Sequence, residues 1–156
     1  PYVVGLTCES AQPDSTVITT DIASEGLLSF GAEALAPRIE LVIDHHGSNS
    51  LPCENRIVLA DRAACGEIVY ALLLELGAPV SKETAEALYV AISTDTGCFR
   101  FSNTTPNTLR RAAQMQEAGA ETFAINRQFF SIKSHDNTPP GSGTAARSSL
   151  VYGSFG

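Results

Sequence analysis

Two histidines stand side by side in this sequence, directly after a run of apolar residues. Asp44, His45 and His46 follow the apolar segment 41–43. Neutral imidazole and carboxylate groups are natural ligands for a divalent ion such as Mn²⁺. A carboxylate beside an imidazole can also orient the ring and set which ring nitrogen carries the proton. The alternative is a polar loop in which a histidine binds a neighbouring backbone group, and for a lone histidine that interpretation would be the better one.

Two further aspartates, Asp21 and Asp95, also end apolar segments. Each alone is weak evidence, because a strand-end aspartate is often part of a turn, and Asp95 could simply terminate a helix. Taken together with His45, however, the two aspartates could face one end of a sheet. Three such groups can hold metal ions, and two or more ions could polarise a phosphoryl oxygen and deprotonate a water molecule.

Predicted strands and helices alternate in the first half of the chain. The predicted elements are strands at 16–20, 39–43 and 56–60 and a short helix at 26–35. This order predicts an α/β fold with a mostly parallel sheet and helices on both faces. Asp21 and Asp44 then follow the carboxyl ends of two strands, where open parallel sheets place their ligand sites.

Helical patterns dominate the next part of the chain. Ser81 and Thr105 are predicted N-caps, and Pro106 suits the first position of a helix. The predicted elements are helices at 64–76, 82–94, 106–118 and 121–131, with a short extended segment at 99–101. After His135 no periodic segment is evident, so we expect one domain at 1–134 and an irregular, loose tail at 135–156.

Composition limits the classes of function. The chain has 156 residues, of which 44% are hydrophobic, enough for one compact domain with a core. Its net charge of −7 argues against binding long duplex nucleic acid through a basic surface. No apolar stretch reaches the roughly 20 residues that span a bilayer, so no membrane partner is expected. The four cysteines lack metal or disulfide spacing, which favours a reducing compartment, the cytoplasm.

Three segments of the sequence resemble motifs of the DHH phosphoesterase superfamily. In the order of the family's motifs II, III and IV, they are Val17-Ile18-Thr19-Thr20-Asp21, Val42-Ile43-Asp44-His45-His46 and Ser93-Thr94-Asp95-Thr96-Gly97-Cys98-Phe99-Arg100. The third, with its continuation to Pro106, looks most like the bacterial nanoRNases (oligoribonucleases) that also act as 3′-phosphoadenosine 5′-phosphate phosphatases. The resemblance covers residues 16–134 and implies a DHH domain there.

The resemblance implies a role for each matching residue. Asp21 is similar to the aspartate that bridges two Mn²⁺ ions, and His45 and Asp95 match ligands of one of these ions. His46 matches a catalytic histidine near the scissile phosphate, where it can bind substrate. Asp44 is then the catalytic-site group that orients an imidazole.

Arg100, just past the third motif, is our own candidate for a further phosphate contact, and a solvated surface arginine is an equally good interpretation. The family also has a first motif, His…Asp-x-Asp, and a C-terminal substrate-binding domain called DHHA1. The sequence contains no Asp-x-Asp and no histidine before His45. We therefore expect an incomplete DHH domain from the middle of a longer protein.

The resemblance implies a manganese-dependent enzyme that hydrolyses short RNA oligonucleotides to mononucleotides and 3′-phosphoadenosine 5′-phosphate to AMP. Short RNA or small phosphorylated nucleotides would be its substrates, and a homodimer is a further expectation. The alternatives are a DHH-type inorganic pyrophosphatase, a cyclic di-adenylate phosphodiesterase, or a catalytically inert metal-binding fragment. A nucleic-acid-binding module without chemistry is least favoured, because the sequence shows neither a basic stripe nor an aromatic stacking platform.

Overall fold

The computed structural model describes residues 14–28, 32–131 and 150–153. The chain divides into two compact units, residues 1–61 with 148–156, and residues 62–147. In chain order the strands and α-helices are β1 (Thr16–Thr20), β2 (Ile39–Asp44), β3 (Arg56–Val58), α1 (Cys65–Glu75), α2 (Lys82–Asp95), α3 (Pro106–Glu117), α4 (Thr122–Asn126) and β4 (Leu150–Gly153).

The first unit contains a four-stranded sheet in the order β3-β2-β1-β4. β2 lies parallel to both β1 and β3, whereas β4 pairs antiparallel with β1. Thr19 is paired with Val42 and Thr20 with Ile43, so β1 and β2 end at the same edge of the sheet. The predicted α/β class with a mostly parallel sheet is confirmed, and so are the three predicted strands, of which β3 is shorter than expected.

Apolar side chains of β1 and β2 form the core of the first unit. Val17 and Val42 are completely buried, as expected for β-branched residues on the packed face of a sheet. The segments that follow the two strands add Ile22 and Leu51, each 1% exposed. This packing holds the ends of β1 and β2 in place, and the polar residues discussed below follow directly from those ends.

The second unit is helical, and its helices begin where the sequence predicts. The Ser81 side chain accepts a hydrogen bond from the backbone of Thr84 at the start of α2. Thr105 and Thr108 form a reciprocal capping box at the start of α3, with Pro106 at the first helical position. None of the helices in the described part of the chain is long and apolar enough to cross a bilayer.

The α-helix predicted at 26–35 is wrong. The described parts of this segment form 3₁₀-helical turns at Glu25–Leu27 and Glu33–Arg38, and residues 29–31 lie outside the described residues. Pro37 lies inside the second turn instead of stopping a helix before it. Proline has no N–H to donate to the preceding turn of an α-helix, and short 3₁₀ turns tolerate this loss better than a long helix.

The extended segment predicted at 99–101 is also wrong, because the chain turns there in a left-handed conformation. Gly97, Cys98 and Phe99 have φ angles of +56°, +57° and +64°. The Thr96 hydroxyl accepts a hydrogen bond from the Phe99 amide at 3.1 Å, and the Phe101 amide donates to the Thr96 carbonyl at 3.0 Å. These local hydrogen bonds stabilise a conformation that residues with a Cβ rarely adopt.

The last part of the chain departs from the expectation of an irregular tail. Residues 150–153 form β4, so the absence of any regular element after His135 is wrong for these four residues. Residues 132–149 and 154–156 lie outside the described residues. The helix predicted at 121–131 is present, although its second half, Arg127–Ser131, is π-helical.

We expect Gly97→Ala to destabilise α2 more than Gly77→Ala destabilises α1. Both glycines have positive φ angles, where a side chain costs about 1–2 kcal/mol. A Cβ at Gly77 meets nothing within 4 Å, whereas a Cβ at Gly97 would overlap the ring of Phe101 and force it to move. Native-state hydrogen exchange of the helix amides measures both losses. Equal losses would show that the Phe101 contact contributes nothing.

Candidate metal centre

Four polar side chains meet where β1 and β2 end. Asp21 follows β1, Asp44 is the last residue of β2, and His45 and His46 come next. Each of the four offers one possible ligand atom, and these atoms all lie within 4.8 Å of one another. Because β1 and β2 are parallel neighbours, their carboxyl ends bring these side chains together, as expected from the sequence.

Asp21 adopts an unusual backbone conformation at the end of its strand. Its φ angle is +60°, in the left-handed region, and its amide donates to the Ile43 carbonyl at 3.0 Å. Aspartate and asparagine tolerate this region better than most residues with a side chain. The hydrogen bond to β2 holds the turn beside the neighbouring strand, and backbone strain of this kind is frequent at functional sites.

Asp44 is fully buried, and both of its carboxylate oxygens accept hydrogen bonds. Oδ1 accepts from the backbone amides of His45 at 2.7 Å and His46 at 3.1 Å, and Oδ2 lies 2.6 Å from Nδ2 of Asn49. Burial by itself raises the pKa of Asp44, but the hydrogen bonds from Asn49, His46 and His45 outweigh it and lower the pKa below its usual value. Asp44 is therefore a buried carboxylate anion at neutral pH.

The Asp44 carboxylate also sets the protonation pattern of the His46 ring. Nδ1 of His46 lies 2.8 Å from Oδ1 of Asp44. Because an ionised carboxylate can only accept, Nδ1 must carry the proton that it donates. The His46 side chain is 47% exposed, so its ring is oriented by a buried anion while still reachable by a ligand.

The Asp21 carboxylate has an unsatisfied oxygen that a bound cation could coordinate. Its Oδ1 atom is buried and has no hydrogen-bond partner among the described residues. Nε2 of His45 lies 3.3 Å from this oxygen, close enough for an ion pair but without hydrogen-bond geometry. An unsatisfied buried carboxylate oxygen is costly. A divalent cation bound by this oxygen and the imidazole would remove that cost, so these residues fit a metal ion.

Two residues that sequence reasoning missed, Asn49 and Arg56, support the position of Asp44. The side chain of Asn49 contacts Asp44, and Arg56 in turn contacts the side chain of Asn49 at 2.6 Å. Asn49 lies in a polar loop and Arg56 at the start of β3, neither of which is an unusual place for such a residue. A single sequence therefore carried no signal that could have singled them out.

Asp95 and Arg100, the other predicted site residues, belong to the second unit. Asp95 is the last residue of α2, and its backbone carbonyl accepts a hydrogen bond from Asn103 at 3.1 Å. Arg100 is exposed, and its Nε donates to the Gly97 carbonyl at 2.7 Å. The roles expected for them, as a metal ligand and as a phosphate contact, stay predictions.

The fold of this chain is similar to that of a protein of solved structure. An exopolyphosphatase-related protein from Bacteroides fragilis matches 76% of the chain with a TM-score of 0.68 and 22% sequence identity. At that identity the likeness concerns the fold alone. The chain covers 36% of the Bacteroides protein.

Two proteins of known sequence are similar to parts of this chain. The bifunctional oligoribonuclease and PAP phosphatase NrnA of Thermus thermophilus is 33% identical over 114 residues, 72% of this chain and 34% of the Thermus protein. The uncharacterized protein MG371 of Mycoplasma genitalium is 32% identical over 77 residues, 49% of this chain and 24% of that protein. No protein-family model matches the chain.

The likeness to the Thermus enzyme in sequence and to the Bacteroides protein in fold confirms the resemblance to the DHH phosphoesterase superfamily. Within it, the similarity to the Thermus enzyme confirms the resemblance to the branch of oligoribonucleases that are also phosphatases. The chain spans about a third of the length of that relative and of the structural neighbour.

Proposed function

We propose that the protein carrying this chain is a manganese-dependent phosphoesterase that hydrolyses short oligoribonucleotides to mononucleotides. A second proposed substrate is 3′-phosphoadenosine 5′-phosphate, which would yield AMP. The observation that carries the proposal is the cluster of Asp21, Asp44, His45 and His46 at the carboxyl ends of the parallel strands β1 and β2. The likeness to the Thermus oligoribonuclease and phosphatase supports this choice of substrates.

The chain's own residues divide into ligands and orienting groups. Asp21 offers a buried carboxylate oxygen without a hydrogen-bond partner among the described residues, and Nε2 of His45 lies 3.3 Å from that oxygen, so both suit ligation. Asp44 uses both of its oxygens on protein donors, which suits orientation. Asp95 is proposed as a further ligand on the strength of its matching motif. Bound metal ions would polarise the phosphoryl group and lower the pKa of a water molecule.

His46 is proposed to act on the substrate phosphate. Its Nδ1 is committed to Asp44 at 2.8 Å, which leaves Nε2 as the ring atom for contact with a phosphoryl oxygen. With protons on both ring nitrogens, His46 would donate from Nε2 to a phosphoryl oxygen and stabilise the negative charge that develops as the phosphate bond breaks. Arg100 is proposed to add a second positive charge.

Manganese is the proposed metal because mixed carboxylate and imidazole ligands suit it. The net charge of −7 does not oppose an anionic substrate, since metal ions are the largest local charges in such a site and attract phosphate. The cytoplasm is the proposed compartment, and the homodimer expected from the resemblance remains a proposal.

The test is a substrate panel with the whole purified protein. We expect Mn²⁺ to support release of mononucleotide from a labelled RNA dinucleotide and of phosphate from 3′-phosphoadenosine 5′-phosphate. If pyrophosphate is hydrolysed faster than these two substrates, the protein is instead an inorganic pyrophosphatase. If cyclic di-adenylate is hydrolysed faster than them, it is instead a cyclic di-adenylate phosphodiesterase. Absence of all four activities with Mn²⁺, Mg²⁺ and Co²⁺ would reject a metal-dependent phosphoesterase.

A further inference from the structure

The side chain of Asn49 uses all of its hydrogen-bonding capacity. Its Nδ2 donates to the Ile22 carbonyl at 2.8 Å and to Oδ2 of Asp44 at 2.6 Å. Its Oδ1 accepts from the Leu51 amide at 3.1 Å and from Nη2 of Arg56 at 2.6 Å. An amide group has two donor hydrogens and two acceptor lone pairs, so no position is left over.

These contacts connect the two chain segments that carry the candidate metal ligands. Ile22 directly follows Asp21, and Asp44 directly precedes His45. One amide group therefore bridges the end of β1 to the end of β2 through side-chain bonds, in addition to the backbone bonds of the sheet. Any rotation of the Asn49 amide would break bonds on both segments at once.

Arg56 is one of the four partners that fix which way the Asn49 amide faces. Its Nη2 donates to both the side-chain oxygen and the backbone carbonyl of Asn49, at 2.6 and 2.7 Å. A flipped amide would direct an N–H group at this guanidinium and an oxygen at the Asp44 carboxylate. Both of these contacts would be repulsive, so only the observed orientation satisfies all partners.

We propose that Asn49 is a positioning residue for the metal centre, which holds the Asp21 and Asp44–His45 segments at ligand distance and is itself oriented by Arg56. The inference rests on the proposed function, because it assumes that these segments bind the metal. Asn49 has no part in ligation, since all of its polar atoms are engaged elsewhere.

The decisive variant is Asn49→Asp, which keeps the shape but turns both donors into acceptors. The new oxygen would face the Ile22 carbonyl and the buried Asp44 carboxylate and push the two segments apart. We expect Mn²⁺ binding to the whole protein to weaken about 10-fold or more, as for other groups that orient metal ligands. Isothermal titration with Mn²⁺ alone measures this loss.

The matched control is Asn55→Asp in the same unit. Asn55 is exposed, and its side chain donates one hydrogen bond, to the Glu40 carbonyl at 2.9 Å. Both variants add one negative charge, which by Coulomb attraction alone would tighten cation binding. Weakening by Asn49→Asp together with unchanged or tighter binding by Asn55→Asp therefore supports positioning. Equal behaviour of the two variants would overturn it.

A second variant covers the case in which Asn49→Asp does not fold. Arg56→Ala removes an exposed side chain and one of the four hydrogen bonds that orient the Asn49 amide, while leaving Asp44 unchanged. Loss of a positive charge should strengthen Mn²⁺ binding, whereas loss of orientation should weaken it, and we expect weaker binding by several-fold. Unchanged or tighter binding would contradict the proposal.

A metal-free measurement separates this inference from the proposed function. The backbone amides of His45 and His46 donate to Asp44, so their hydrogen exchange reports how firmly that carboxylate is held. We expect faster exchange at both amides in Arg56→Ala and in a folded Asn49 variant, but not in Asn55→Asp. If wild-type protein binds no Mn²⁺, the proposed function fails, and unchanged exchange in these variants would overturn the role of Asn49.

Discussion

Replacing Asp21 with asparagine is expected to reduce Mn²⁺-dependent hydrolysis by the whole protein at least about 100-fold, since metal ions supply several kcal/mol of transition-state stabilisation. Asparagine offers no anionic ligand, and at the position of the buried Oδ1 it places either a neutral amide oxygen or an NH₂ group that cannot bind a cation. Asparagine accepts the +60° φ angle of this position, so the backbone should survive the change. Initial rates on an RNA dinucleotide measure the effect.

The control for this variant lies at the other end of the same strand. Asp14→Asn removes the same charge from an exposed residue just before β1. We expect it to leave the rate within about twofold of wild type, as for most surface substitutions. An Asp21→Asn enzyme with the wild-type rate would refute the role of Asp21, and equal losses in both variants would point to net charge instead.

Replacing Asp44 with alanine is expected to destabilise the first unit by about 3 kcal/mol even without metal, because a hydrogen bond to a charged group contributes about 1.5–3 kcal/mol and several are lost. The amides of His45 and His46 and the Asn49 side chain would lose their common acceptor. The loss concerns the folded protein itself and should not depend on Mn²⁺. Hydrogen exchange of the β2 amides in metal-free protein measures it.

Glu40→Ala is the matched control, because Glu40 is an exposed carboxylate on the same strand. We expect a change of less than about 0.5 kcal/mol, typical of surface positions. A similar, small loss in both variants would mean that the buried hydrogen bonds of Asp44 contribute no net stability. In that case the orienting role assigned to Asp44 would also lose its physical basis.

The parts of the fold that follow from local chemistry could be predicted from the sequence. The β-branched run at β1 and the apolar run at β2 predicted both strands to within a residue. Ser81 and Thr105 predicted helix starts, because capping depends only on residues within one turn. The meeting of Asp21 with the Asp44–His46 segment was predictable as well, since parallel strands end at a common edge.

Features that depend on distant or unusual contacts could not be predicted. The left-handed turn after Asp95 includes Cys98 and Phe99, two residues that give no sign of positive φ angles. β4 forms by pairing with a strand at the other end of the chain. Asn49 matters only because folding brings it between Ile22 and Asp44. The first case depends on a rare backbone conformation, and the other two depend on partners that are remote in sequence.

The pairing of β4 with β1 has a consequence for biosynthesis. Thr19 and Leu150 are register partners, yet a ribosome adding 5–20 residues per second separates their appearance by roughly ten seconds. Throughout that interval the nascent β1 strand lacks this partner on one edge, and unpaired strand edges recruit other chains. A transcript or protease product that stops before Leu150 would therefore be prone to aggregate, even though it retains Asp21, His45 and His46.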